Sequence, residues 1–207
     1  MLQKIEILKK FNISEEKIKK LLDFEQEFLR ENSKLNLVSK NEEKVLFEKH
    51  IFDSLSIVNV LFDQEGELLD IGTGGGFPAL VIAILYGNMK IYPIDSIGKK
   101  IRAVENIKEN LDLKNVYPIC DRVENIDKKF DFVTSRAVAS LKKILPLAIK
   151  KLKKNGKFIA YKSRKVEEEI KEAMPIIKKY GLKMPQTYRY ELPTEEKHER
   201  YLVIFEK

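Results

Sequence analysis

This sequence of 207 residues has little of several residue types that build metal sites and cross-links. It contains one cysteine, Cys120, two histidines and no tryptophan. A single cysteine excludes an internal disulfide and a cysteine-based metal cluster, and two histidines leave few ligands for zinc, so we expect no metal site. We expect Cys120 to be a buried structural residue, because a free cysteine in a core behaves as a small apolar side chain.

Long apolar runs are also missing. No segment approaches the roughly 20 apolar residues of a membrane span, and the first residues are charged and amphipathic rather than signal-like. The sequence therefore predicts a cytoplasmic protein with no membrane partner, and we expect it to be a monomer. Its length fits one domain over residues 1–207, which we divide into a helical N-terminal extension (1–62) and an α/β core (63–207).

Acidic residues are absent from one stretch, residues 132–166, which we call the basic window. The rest of the chain carries all 32 acids against 28 of the 39 bases, so the window accounts for the whole positive net charge. Such a cluster predicts a polyanion partner, because contacts with phosphates release counterions. The alternative is a lysine-rich, solvated helix face. The window holds Arg136, Lys142, Lys143, Lys150, Lys151, Lys153, Lys154, Lys157, Lys162, Arg164 and Lys165.

The hydrophobic pattern predicts two structural regimes. Ser14 is placed to cap a helix, and a second helix is predicted from about 41 to 61. Beyond residue 66, short apolar strands alternate with helices, which is typical of a doubly wound, mostly parallel α/β sheet. The predicted strands are 67–71, 90–95, 115–119, 130–135 and 157–162, followed by an antiparallel pair, 183–191 and 200–206; the predicted helices are 78–86, 98–110, 139–154 and 165–180. Pro93 predicts a local irregularity in the second strand.

The most informative motif runs from Asp70 to Ala79, where the first strand turns into a helix through glycines at 72, 74 and 76. Asp95 ends the next strand, at the offset where an acid binds ribose hydroxyls. An acid at position 70 suits the ammonium of a methionine moiety better than a pyrophosphate, which favours S-adenosylmethionine over NAD. A glycine turn with one capping acid is the alternative without a ligand.

Polar groups follow each predicted parallel strand, and the carboxyl ends of parallel strands share one edge of a sheet. The basic window begins at the fourth of these ends and covers the fifth. We therefore expect a polyanion surface beside the cofactor site, which indicates a nucleic-acid substrate. The strand ends carry Asp70–Gly72, Asp95–Ser96, Cys120–Arg122, Ser135–Arg136 and Lys162–Ser163.

Several islands together resemble the GidB/RsmG family, the bacterial guanine-N7 methyltransferases of 16S ribosomal RNA. They follow the family's order over nearly the whole chain, and the His-x-x-Asp-Ser and Ser-Arg-Ala islands are more specific than the glycine loop. The islands are Leu35–Ser39, His50–Ser54, Asp70–Pro78, Asp95–Lys100, Arg122–Glu124, Ser135–Leu141 and Glu199–Val203.

The resemblance implies a class I, Rossmann-like methyltransferase acting on 16S ribosomal RNA or the small ribosomal subunit. It implies cofactor contacts at Gly72, Phe77, Asp95, Val123, Glu124 and Arg136, to which we add Asp70, Thr73, Gly74, Gly76 and Ser96 as expected cofactor-binding residues. It implies substrate contacts at Asn36, His50, Asp53, Lys99, Arg122, Lys162, Arg164, Lys165 and Arg200.

Arg136 is the candidate catalytic residue, because a guanidinium can donate to the O6 edge of guanine or to a phosphate in a fixed fork. An ordinary phosphate contact, or a salt bridge to an acid such as Glu124, is the alternative. For His50 and Asp53 we favour a brace between extension and core over a chemical role. Three other functions stay open: methylation of another RNA, an NAD-binding module and a non-catalytic RNA-binding module.

Overall fold

A computed structural model describes residues 2–61, 65–196 and 198–207, with the side chain of Leu2 excepted. The helical elements are α1 (Leu2–Lys9), α2 (Glu15–Leu35), α3 (Lys40–Glu43), a π-helical turn (Phe47–Ile51), α4 (Phe52–Leu55), a 3₁₀ turn (Ser56–Asn59), α5 (Ala79–Leu85), α6 (Gly98–Asn110), a 3₁₀ turn (Val123–Asn125), α7 (Leu141–Lys151) and α8 (Val166–Lys179). The strands are β1 (Gly66–Ile71), β2 (Met89–Asp95), β3 (Ile119–Cys120), β4 (Phe130–Arg136), β5 (Leu152–Ser163), β6 (Gln186–Leu192) and β7 (His198–Glu206).

The strands form one sheet of seven in the order β3-β2-β1-β4-β5-β7-β6. The first five strands in this order are parallel, while β7 runs antiparallel to both β5 and β6. The predicted fold class and the predicted antiparallel pair are both confirmed. β2 and β3 are added on one side of β1, and β4 and β5 are added on the other side, so the strand order switches between β1 and β4. In doubly wound sheets, ligands bind at such a switch point.

Successive strand residues point to opposite faces of the sheet, and each face carries its own core. Leu68 belongs to the core shared with the N-terminal extension, α5 and α6, whereas Leu69 belongs to the core shared with α7 and α8. In β5, Ile159 likewise belongs to the first of these cores and Ala160 to the second. The near-continuous apolar runs of the sequence follow from this burial on both faces.

The third strand is shorter than predicted. Only Ile119 and Cys120 pair continuously with β2, and Val116 adds an isolated bridge to Ile91. Pro93 lies in the gap between these two contacts, where it has no N–H to donate. The pairing of β2 with β1 passes Pro93 unbroken, so the predicted irregularity exists only on the β3 side.

The boundary between α7 and β5 also differs from the prediction. The helix ends at Lys151 and the strand begins at Leu152, so Lys153 and Lys154 lie on a strand and not on a helix. Because α7 runs from the carboxyl edge of the sheet to its amino edge, the basic window is split between the two edges. The prediction of one continuous polyanion surface beside the cofactor site is wrong for Lys150, Lys151, Lys153, Lys154 and Lys157.

The extension is helical, with Ser14 capping α2 as predicted through the backbone N–H of Lys17. The single helix predicted over 41–61 is wrong, since this region is divided into four short helical pieces that include a π-helical turn. Within the described residues, no helix has the length and apolar character needed to cross a membrane.

The extension packs directly on the glycine loop. The Phe77 ring centroid lies 5.1 Å from that of Phe24 and 5.0 Å from that of Phe28. A Cβ added at Gly75 would come within 2.4 Å of the Phe28 ring, so any other residue there would force the ring to move. Extension and core therefore share one hydrophobic cluster. The predicted boundary between 62 and 63, and Lys197 in the predicted loop 193–199, lie outside the described residues.

Candidate functional site

The glycine loop is fastened to the end of β2. The N–H groups of Gly72 and Thr73 donate to the carbonyl of Ile94 at 2.9 and 3.0 Å, and that of Gly74 donates to Asp95 Oδ2 at 3.1 Å. Gly72, Gly74 and Gly76 all have positive φ. A Cβ built at Gly74 would meet no described atom within 4 Å, so the left-handed turn borders open space on its outer side.

A first cleft of ≈ 520 Å³ opens beside this loop at the carboxyl edge of the sheet. It combines an apolar part, made by Val123, Ile144 and Leu147, with the carboxylates of Asp95 and Glu124. An apolar slot suits an adenine ring, and an acid at the end of β2 suits ribose hydroxyls. The donor set therefore fits S-adenosylmethionine. Of the predicted residues, the first cleft is lined by Gly72, Asp95, Ser96, Arg122, Val123 and Glu124.

Asp95 is the most constrained member of this cleft. Its Oδ1 accepts from the N–H of Ile97 at 3.0 Å, and its Oδ2 lies 3.5 Å from Lys100 Nζ. Oδ2 also accepts from the N–H of Gly74 at 3.1 Å, so it already has two partners, whereas Oδ1 has one and can accept a second hydrogen bond. Lys100 was not predicted as a site residue.

Two predicted cofactor residues lie behind the loop instead of lining the cleft. Asp70 is fully buried, and its Oδ1 accepts from Thr134 Oγ1 at 2.8 Å. Burial raises the pKa of Asp70 to about 7, against the opposing effects of its hydrogen bonds and the charge of Arg136. Asp70 Oδ2 has no hydrogen-bond partner among the described residues. The Phe77 ring is buried in the aromatic cluster, so only its backbone is available to a cofactor.

A second cleft, of ≈ 390 Å³, adjoins the first. The two share Ala137 and Val138 as a common wall. A Cβ at Gly72 would come within 2.5 Å of Val138 Cγ2, which shows how closely this wall approaches the glycine loop. The polar side chains of the second cleft are Asp53, Arg136, Ser140, Tyr161, Lys162, Ser163, Glu169 and Arg200.

Arg136 is held by the N-terminal extension. Its Nη1 donates to the carbonyl of Lys49 at 3.1 Å and to Asp53 Oδ2 at 3.2 Å, and its Nη2 lies 2.8 Å from His50 Nδ1. The guanidinium carbon also lies 5.3 Å from the Phe77 ring centroid. The acid that pairs with Arg136 is therefore Asp53, and Glu124 as its partner was wrong.

His50 and Asp53 brace the extension against the core, as the favoured interpretation had it, and they do so through Arg136. Burial, followed by the nearby charge of Arg136, lowers the pKa of His50 to about 4. His50 is therefore neutral at pH 7, and its Nδ1 accepts from Arg136. The ring proton lies on Nε2, which is 3.9 Å from Glu42 Oε1.

Lys162 is engaged within the protein. Its Nζ donates to the carbonyl of Ala139 at 2.7 Å and to Glu169 Oε2 at 2.8 Å, and the same Glu169 oxygen accepts from the N–H of Leu141 at 2.7 Å. Lys162 and Glu169 thus fix the turn that carries the wall of both clefts. A substrate contact by Lys162 stays a prediction, but its ammonium already has two partners.

Four predicted substrate residues are exposed bases around the two clefts. Arg122, Arg164 and Lys165 have no ion pair with any described residue, and Lys99 Nζ lies 3.4 Å from the carbonyl of Leu35. Asn36 is also exposed and ends α2 in the left-handed conformation.

Cys120 is exposed, so its predicted burial was wrong. β3 is an edge strand of two residues, which leaves the side chain at its end uncovered on one side. Among the described residues, no group of three His, Cys, Asp or Glu side chains is arranged to hold a metal ion.

Sequence reasoning missed Tyr190 and Glu169. The Tyr190 hydroxyl donates to Asp53 Oδ1 at 2.6 Å, across 137 positions of the chain. Tyr190 faces Arg200 in the β6–β7 ladder, so only the exact register of that pair would have revealed it. Glu169 is one of three consecutive glutamates in the first turn of α8, which gave no signal to distinguish it.

Comparison with known proteins gives consistent relatives. Residues 17–193 match the family model GidB, described as rRNA small subunit methyltransferase G. The chain is 32% identical over 206 residues to ribosomal RNA small subunit methyltransferase G of Oceanobacillus iheyensis, covering 96% of this chain and 87% of that protein. It is 39% identical over 183 residues to the protein of the same name from Staphylococcus saprophyticus, covering 85% and 76%.

Solved structures share the fold at low sequence identity. A methyltransferase from Pyrococcus furiosus aligns with a TM-score of 0.62 and 16% identity, covering 76% of this chain and 82% of that one. M. jannaschii TYW2, solved in complex with AdoMet, aligns with a TM-score of 0.59 and 18% identity, covering 71% of each chain.

Proposed function

The chain belongs to the GidB family of rRNA small subunit methyltransferases, and from this premise we propose that it transfers a methyl group from S-adenosylmethionine to N7 of a guanine in 16S ribosomal RNA. The observation that supports this function best is the pair of clefts with a shared wall. One has the donor set of an adenosine site, and the other contains two arginines and a lysine beside two carboxylates, Asp53 and Glu169. A methyl donor and a polyanionic acceptor would meet at that wall.

The first cleft would hold the cofactor, which supplies an electrophilic methyl group when bound. Asp95 would accept the ribose hydroxyls, and Val123 with Leu147 would contact the adenine. The N–H groups of Gly72, Thr73 and Gly74 already donate to Ile94 and Asp95, so the glycine loop would position the methionine part through its shape, with the buried Asp70 behind it. Ser96 and Glu124 complete this proposed site.

The second cleft would hold the guanine. Its N7 has an in-plane lone pair and no proton, so no side chain needs to act as a base, and catalysis consists of positioning and charge stabilisation. Arg136 would donate to the guanine O6 edge or to an adjacent phosphate. Arg122, Arg164, Lys165, Arg200, Lys99 and Asn36 would contact the RNA around the clefts.

We further propose that the chain acts as a single domain and as a cytoplasmic monomer. The extension contributes Asp53 to the second cleft, whose other polar side chains come from the core. A catalytic site built from both parts of the chain supports one functional unit over residues 1–207.

Cofactor binding is tested by Gly74→Val with Gly181→Val as the matched control. Both glycines have left-handed φ, +58° and +63°, and border open space, but Gly181 follows α8 far from the clefts. We expect Gly74→Val to abolish binding of S-adenosylmethionine in calorimetry, because valine resists positive φ and would fill ligand space. Gly181→Val should cost stability only. Equal cofactor affinity in the two variants would contradict this location for the cofactor.

The proposed role of Arg136 is tested by single-turnover transfer of labelled methyl to small-subunit rRNA at saturating cofactor. Losing one charge-assisted hydrogen bond in the transition state costs about 1.5–3 kcal/mol, or roughly ten- to a hundredfold in rate, so Arg136→Ala should lose that much. Arg136→Lys should recover only part of it, because lysine keeps the charge and loses the planar fork. Melting curves give the folded fraction, and near-normal transfer by folded Arg136→Ala would exclude the role.

A further inference from the structure

Asp53 is a buried carboxylate at the bottom of the second cleft, with only 3% of its surface exposed. Its Oδ2 accepts from Arg136 Nη1 at 3.2 Å, and its Oδ1 accepts from the Tyr190 hydroxyl at 2.6 Å. Arg200 Nε lies 3.9 Å from the same Oδ1. One carboxylate from the extension thus contacts groups from three strands of the core sheet.

The two arginines reach Asp53 from different directions. Arg136 is the last residue of β4, and Arg200 lies on β7, where it pairs with Ser163 of β5 on one side and Tyr190 of β6 on the other. Both line the second cleft. Two guanidinium groups repel each other, so their approach to one cleft depends on the negative charge placed between them.

The remaining contacts of Arg136 fix its plane. Lys49 and His50 lie in the π-helical turn and Asp53 lies in α4, which follows it directly, so consecutive helical turns bring all three acceptors to one guanidinium. Neutral His50 can accept from Arg136 because its Nδ1 carries no proton. Arg200 is less constrained, since its buried Nε has no hydrogen bond to any described residue.

We propose that Asp53, oriented by the hydroxyl of Tyr190, is the positioning residue that sets Arg136 and Arg200 at their working separation for the RNA substrate. This inference rests on the proposed function. Asp53 acts through the two arginines, because its oxygens are already occupied by Arg136 and Tyr190. The N-terminal extension thereby takes part in the reaction without contacting the methyl group.

The test is Asp53→Asn, measured by single-turnover methyl transfer to small-subunit rRNA and by calorimetry with S-adenosylmethionine. Asparagine keeps the shape and removes the charge that holds both arginines. We expect cofactor affinity within about twofold of the wild type and a rate at saturating RNA lower by roughly tenfold or more. Tyr190→Phe keeps the carboxylate and removes one hydrogen bond, so a loss of about threefold to tenfold is expected.

The matched control is Glu31→Gln. Glu31 is also a buried carboxylate of the extension, and it binds Asn106 of α6 at 2.9 Å, away from both clefts. This variant should lose thermal stability while its folded fraction transfers methyl at the wild-type rate. A double-mutant cycle of Asp53→Asn with Arg136→Lys separates positioning from direct contact. If Asp53 acts in part through Arg136, the double variant loses less rate than the product of the two single losses, the remainder being the effect on Arg200.

Several outcomes would overturn the proposal. Wild-type transfer by folded Asp53→Asn would do so, as would a loss of cofactor affinity equal to the loss of rate, or multiplying losses in the cycle. If Asp53→Asn does not fold, an unchanged rate in Tyr190→Phe decides against it. Absence of transfer by the wild-type protein itself would instead contradict the proposed function.

Discussion

Both edges of the sheet carry basic residues, but only the carboxyl edge borders the two clefts. At the amino edge, Lys128 pairs with Glu67, and Lys153 pairs with both Glu67 and Asp131. At the carboxyl edge, Arg122, Arg164 and Lys165 are exposed and have no ion pair with a described residue. A charge cluster along the chain is therefore not a charge cluster in space, because α7 and β5 carry the chain across the sheet and back.

The largest difference between the edges should appear in RNA binding. We expect a triple change of Arg122, Arg164 and Lys165 to glutamine to weaken binding of small-subunit rRNA. The log–log salt slope should fall by about 0.9 for each duplex phosphate that the variant no longer neutralises. Filter binding over a salt series measures both quantities.

A matched triple change at the amino edge gives the control. This variant changes three other exposed lysines to glutamine, Lys129, Lys150 and Lys154, and so removes the same formal charge. The log–log salt slope of RNA binding by this variant should stay near that of the wild type. Equal slopes in the two triple variants would mean that net charge, and not the carboxyl edge, determines RNA binding.

The edges should also respond to acid in different pH ranges. His50 at the carboxyl edge has its pKa lowered from 6.5 to about 4. The unfolded chain therefore binds this proton between pH 6.5 and 4 while the folded chain does not, so the free energy of unfolding falls as the pH falls through this range. As the pH falls from 6.5 to 4, the wild type should therefore lose roughly 3 kcal/mol more of its free energy of unfolding than His50→Gln does, as measured by urea denaturation.

Two other titrating groups are separable from His50. Because the pKa of Asp70 is raised, its contribution to the free energy of unfolding grows as the pH falls from about 7 to 4. This contribution is the same in the wild type and in His50→Gln, so it cancels when the two are compared. At the amino edge, the hydrogen bond from Lys128 lowers the pKa of Glu67 below 4.5, so its contribution is lost only as the pH falls further. A His50→Gln protein that loses stability in parallel with the wild type between pH 6.5 and 4 would refute a neutral, buried His50.

The smallest effect should come from the amino-edge ion pairs. Lys153 lies 2.9 Å from Asp131 and is 43% exposed, and exposed pairs contribute between 0 and about 1 kcal/mol. Lys153→Gln should therefore change the free energy of unfolding by no more than this and leave RNA and cofactor binding unaltered. A measurable decrease in RNA affinity would place part of the RNA interface at the amino edge.

The sequence was sufficient for the parts of the site that depend on local pattern. Apolar runs ended by polar residues located the five parallel strand ends, and the alternate glycines located the loop. The Asp53–Arg136 pair could not be found in this way, because 83 positions separate its members and the predicted long helix hid the π-helical turn. The residues before Asn155 are good helix formers, so the start of β5 at Leu152 was also hidden. The resemblance to the GidB/RsmG family is confirmed.

The aromatic contact between Phe28 and Phe77 has a consequence for how the molecule is made. During synthesis the helices of the extension emerge first, and their apolar faces stay without a partner until the segment around Phe77 has left the ribosome. Those faces are the surface that a chaperone would protect in the nascent chain. A ribosome-bound fragment ending before residue 70 should bind such a chaperone, and one extending past α5 should release it.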